Sequence, residues 1–116
     1  MTHWLDHGSM ENTFESDPEL VVDLVQIFRD LHPGLEASIE KAIGRGDFSE
    51  VRESAHLLKT RLWLLHLPDL GKNAEELEQH ALSQRRSEMM LSHFVLKRNI
   101  SEALTEIDSF LGDHVK

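Results

Sequence analysis

The strongest constraint on this chain is the period of its apolar residues. From Leu20 onward they recur every three or four positions, and no stretch alternates with the period of two that a half-buried strand requires. Breaks in the pattern coincide with residues that start or stop helices. Asp17 can accept from free backbone N–H groups and Pro18 suits a first helical position, so a first helix is expected from there. Its apolar stripe is Leu20, Val21, Leu24, Val25, Ile27, Phe28 and Leu31. Pro33 interrupts that stripe and is expected to open a second helix carrying Leu35, Ile39, Ala42 and Ile43, stopped by Gly44 and Gly46. Asp47 followed by Glu50 reads as a capping box for a third helix reaching about Leu65. Pro68 opens a fourth with Leu70, Ala74, Leu77 and Ala81, and Ser87 is the expected cap of a fifth with Met89, His93, Leu96, Ile100, Ala103, Ile107 and Phe110.

Long helices joined by short connections predict an all-α fold, an antiparallel up-and-down four-helix bundle over residues 17–112. Residues 1–16 are expected to form an N-terminal extension with at most one short helical turn, on which Trp4 and Leu5 could dock against the bundle. A chain of 116 residues suffices for one modest core. Without cysteine, disulfides and thiolate metal sites are excluded. A formal net charge of −9 repels a phosphate backbone, which argues against nucleic-acid binding. No apolar run approaches the ~20 residues that span a bilayer, and residues 1–17 lack the basic and apolar blocks of a secretion signal. The expectation is a cytoplasmic, monomeric domain without membrane or nucleic-acid partners.

The third helix is the informative element. In S-E-V-R-E-S-A-H-L-L-K-T-R-L-W-L-L, residues Val51, Ala55, Leu58, Leu62 and Leu65 form the buried seam. His56 follows Ala55, about 100° round the helix, which places it beside the seam and partly exposed. Lys59, Thr60 and Trp63 share its face. A neutral imidazole is a good nucleophile near neutral pH, and an ammonium one turn away can hold phosphoryl oxygens. With eight histidines in the chain, spacing alone leaves an ordinary boundary histidine as the simpler reading.

A wider pattern changes that balance. Ser54-Ala55-His56-Leu57-Leu58-Lys59 resembles the A-H-x-L-K core of bacterial histidine phosphotransfer (HPt) domains. Asp17-Pro18-Glu19-Leu20 is similar to the opening of their first bundle helix, and Gly46-Asp47-Phe48 to the turn before their phosphorylated helix. Pro68, Leu70, Ala74, Leu77 and Glu78 match the spacing of the next helix, so the resemblance covers about residues 17–110. It implies a four-helix bundle whose His56 accepts a phosphoryl group and relays it between receiver-domain aspartates, with Lys59 stabilising the phosphate. It implies a carrier rather than an autonomous catalyst. No cofactor of its own is expected, Mg²⁺ belonging to the receiver domain of a response regulator or hybrid sensor kinase. Thr60, Trp63 and Arg52 are the expected partner-docking residues. The sequence departs from the family where Thr60 replaces a glycine four residues after the histidine and His66 replaces another ten residues after it. Those departures support a second reading, a bundle that docks a receiver or kinase without accepting phosphate.

The remaining residues carry less. His66 is expected at a helix end, favoured there by the dipole. His93 falls on an apolar stripe, His80 is expected to face solvent, and Arg85-Arg86 to lie in a solvated loop. No histidine pair shows zinc spacing with a third ligand. Glu53-x-x-His56 has the spacing of a carboxylate–histidine metal bundle, but the second copy is missing because Met90 stands three residues before His93. Glu75 and Glu76 are expected to be solvated, and Glu78 could pair with the third helix.

Overall fold

Aspartate side chains set the starts of the first three helices. The structure, a computed structural model, describes residues 3–114, which form five helices and no strand among them. Helix α1 (His7–Ser16) starts where the Asp6 carboxylate accepts from the Ser9 backbone N–H at 3.1 Å. Asp17 closes α1 with its own N–H on the Thr13 carbonyl and caps α2 (Pro18–Arg45) by accepting from the Leu20 N–H. Gly46, at φ 68°, ends α2 in the left-handed conformation that costs glycine least. Asp47 then caps α3 (Phe48–Leu64), while Glu50 turns away to Arg45 instead of completing a capping box. Helices α4 (Pro68–Leu82) and α5 (Arg86–His114) complete the described residues. Arg86 begins α5 rather than lying in a loop and donates to the Gly44 carbonyl, so Ser87 sits inside the first turn and is not the cap.

Two further expectations about elements are overturned. The break at Pro33 does not occur: one 28-residue helix runs through it. Val21, Val25, Phe28, His32, Ile39, Ala42 and Ile43 form one buried stripe at three-to-four spacing across the proline. His32 is the link, stacked flat on Phe28 with ring centroids 4.7 Å apart. Pro33 lies on the exposed side, where water can take the carbonyl its missing N–H leaves free. Leu20, Ile27 and Leu31 are therefore exposed rather than core. The second correction concerns the N-terminal residues, which form a ten-residue helix instead of at most one turn.

Burial holds that helix in place. Leu5 and Met10 are sealed in the core, and Phe14 packs edge-on against Phe110 of α5. His66 adopts φ 60° just past α3, and its ring joins Ser9 Oγ at 2.8 Å and Thr13 Oγ1 at 3.2 Å. It anchors α1 rather than capping a dipole. Helices α2 to α5 pack each on the next, α5 closes back on α2, and α1 lies on α2. The long axis of 46 Å is close to the ~42 Å that a 28-residue helix spans. No helix among the described residues is long and apolar enough to cross a membrane.

Candidate functional site

The seam of α3 is buried as its spacing predicts, from Val51 through Ala55 and Leu58 to Leu62. Fixing those four positions rotates His56 to the surface, where 61% of its side chain is exposed. Helix α4 supplies what lies beside it. Leu70, Ala74, Leu77 and Ala81 are buried against α3, which places Glu78, one residue past Leu77, at the α3–α4 boundary with 17% of its side chain exposed.

Glu78 connects His56 and Lys59. Its Oε2 lies 2.9 Å from Nδ1 of His56 and its Oε1 lies 3.4 Å from Nζ of Lys59. A carboxylate only accepts, so Nδ1 is the protonated nitrogen in that bond. The neutral ring then carries its lone pair on Nε2, for which no protein partner occurs among the described residues. Arg52, Glu53, His56 and Glu78 line an open cleft of about 330 Å³, large enough for a phosphoryl group. The site thus offers an oriented nucleophilic nitrogen, an ammonium one turn away, and access from solvent.

The surrounding surface is partly apolar. Thr60 is exposed beside His56, but its hydroxyl donates back to the His56 carbonyl at 3.3 Å and leaves the ring untouched. Trp63 is 48% exposed, and its indole lies over Gly71 of α4. A Cβ on Gly71 would stand 2.7 Å from the indole Nε1, so this glycine makes the space that the ring occupies. Leu57 and Leu64 add exposed apolar surface on the same side of α3. Arg61 and Leu64 continue it into a groove shared with Leu24, Ile27 and Leu31 of α2.

Every residue singled out from the sequence on this face, Arg52, His56, Lys59, Thr60 and Trp63, lies on one side of α3. Glu78 was only a possible partner for the helix from sequence, and its contact with both His56 and Lys59 requires the α3–α4 packing. The apolar residues Leu57 and Leu64 were missed: they read as ordinary helix content until the seam is located. Glu53 lines the external cleft with His56 instead of facing the bundle interior, so these two are not an inward carboxylate–histidine ligand pair. His93 is buried, as its stripe predicts, whereas His80 is half-buried rather than fully solvent-facing. Burial lowers the pKa of His93, against the pull of Glu40 and Glu36.

Compared with known families, residues 23–110 match the Hpt domain. No curated protein and no solved structure gave a match.

Proposed function

Because the chain belongs to the Hpt domain family, whose members serve in phosphorelays, we propose that it is a phosphoryl carrier acting through Nε2 of His56. The donor is an aspartyl phosphate on a receiver domain. Nε2 attacks phosphorus, the N–P bond forms, the acyl-phosphate O–P bond breaks, and the aspartate leaves as a carboxylate. The phosphohistidine then passes the group to a second receiver by the reverse chemistry. The observation that carries this reading is the split environment of the ring, with Nδ1 held by Glu78 and Nε2 open to solvent.

Lys59 takes the part of counter-charge. It rests on Glu78, a weak contact at 3.4 Å, and its ammonium lies one helical turn from the ring that would carry the phosphoryl oxygens. Mg²⁺ belongs to the receiver, where the acidic acceptor resides. Arg52, Thr60 and Trp63, with the exposed Leu57 and Leu64, form the surface that meets it, and an exposed indole among aliphatic side chains suits such an anchor. The same reading takes residues 17–112 as an antiparallel up-and-down four-helix bundle and 1–16 as an extension packed on it. It places the protein as a monomer among cytoplasmic partners.

Incubation with a phosphorylated receiver domain tests the proposal. The chain should acquire an acid-labile, alkali-stable phosphate, and His56→Gln should abolish it while retaining the helical circular dichroism spectrum. Equal labelling of the variant would sink the assignment. Receiver binding by both proteins without any labelling would favour the docking-only reading.

A further inference from the structure

Away from this face, the N-terminal segment brings two imidazoles to a carboxylate of α5. His7 Nε2 lies 2.8 Å from Glu106 Oε2, and His3 Nδ1 lies 3.4 Å from the same oxygen. All three ligand atoms fall within 4.8 Å of one another. The carboxylate is pinned from its other side, where Oε1 accepts from the backbone N–H groups of Trp4 at 2.7 Å and Leu5 at 3.0 Å. Those bonds leave Oε2 directed at the two rings. They orient a ligand in the way that outer hydrogen bonds orient carboxylates around metals.

We propose that His3, His7 and Glu106 form a binding site for a divalent transition metal, with Zn²⁺ the best fit, that clips the N-terminal segment to α5. The donor set is two neutral imidazoles and one carboxylate, which suits zinc, nickel, cobalt and copper and does not suit magnesium or calcium. Ligand atoms bound to tetrahedral zinc at ~2.0–2.1 Å stand roughly 3.3 Å apart. The two histidine–carboxylate separations, 2.8 and 3.4 Å, bracket that edge, and the two ring nitrogens lie within 4.8 Å of each other. Both histidine side chains are about half exposed or more, which leaves open positions for water and a route for entry. Glu102, one turn earlier on α5, accepts from the Trp4 indole and adds negative charge nearby.

Spacing alone missed this site. His3 precedes α1 and His7 is its first residue, and the third ligand is about a hundred residues away. Only the packing of the N-terminal segment on α5 assembles it.

The test is calorimetric titration of the untagged full chain with ZnCl₂. One ion should bind per chain, and the thermal midpoint should rise in proportion to the logarithm of free zinc. His3→Ala and His7→Ala should each weaken binding by at least ~10-fold. Glu106→Gln should do the same; because it also loosens the segment, the histidine variants, on exposed side chains, keep the test independent of folding. His114→Ala controls for the separate His114–Glu11 pair and should bind zinc like the parent. Cu²⁺ bound to the parent should show hyperfine coupling to two nitrogens by electron paramagnetic resonance. Absence of binding in the parent, or undiminished binding in a His3→Ala/His7→Ala double variant, overturns the proposal.

Discussion

Replacing Glu78 with alanine removes the acceptor for Nδ1 of His56 and releases Lys59 in one step. The proton is then free to occupy either ring nitrogen, and the ring loses its fixed orientation. Phosphoryl acceptance from a labelled receiver should slow by on the order of 10-fold, as for other groups that orient a reacting histidine, with the fold unchanged. A second residue-scale prediction concerns the buried pair His32 and His93. Burial lowers the pKa of each below the ordinary 6.5, outweighing Glu36 beside His32 and Glu40 and Glu36 near His93, while Arg61 and Lys97 push the same way as burial. The unfolded chain therefore takes up these protons first as pH falls. Their neutral forms support full stability above about pH 6.5, and it is lost as pH drops from there through the lowered folded values. Denaturant midpoints measured between pH 8 and 5 should fall on the acid side, and His93→Leu should flatten that fall.

Between elements, the α3–α4 contact depends on a glycine placed for an aromatic ring. Gly71 in a helix interior costs about 1 kcal/mol against alanine, yet an alanine Cβ would collide with the Trp63 indole at 2.7 Å. Overpacking of this kind costs about 1–3 kcal/mol, so Gly71→Ala should destabilise the parent or leave it unimproved while displacing the indole. In a Trp63→Ala background the collision is gone, and the same change should stabilise by about 1 kcal/mol. Urea unfolding of the four proteins gives the coupling, and a Gly71→Ala effect of the same sign and size in both backgrounds would refute the contact. At this scale the sequence was legible where a stripe was purely apolar. The positions expected to be buried in α3, α4 and α5 are buried. It misled at α2, because His32 hid the continuity of the stripe and Pro33 weighed as a helix breaker when neighbouring burial overrides its cost.

Across the molecule, the N-terminal segment is fastened to the middle of the chain and to its last helix. It buries Leu5 and Met10, bonds His66 through Ser9 and Thr13, and reaches α5 through Glu106. Deleting residues 1–16 should lower stability by several kcal/mol, since full burial of each large apolar side chain contributes roughly 1.5–3 kcal/mol. The site on α3 and α4 makes none of these contacts, so His56 in the truncated chain should still accept phosphate below the unfolding transition. Loss of labelling with the bundle still folded would show that the segment shapes the site.

Periodicity and helix-terminal chemistry, both local, determined from the sequence alone that the chain is helical, where most helices begin and end, and that His56 and Lys59 share an exposed face. The tertiary structure alone decided that Pro33 lies within a helix, that α1 forms and is anchored by His66, that Glu78 holds one nitrogen of His56, and that Glu106 meets His3 and His7. Each of those outcomes depends on burial or pairing between residues far apart in the chain, where the energy comes from the neighbour and local spacing gives no sign of which neighbour arrives.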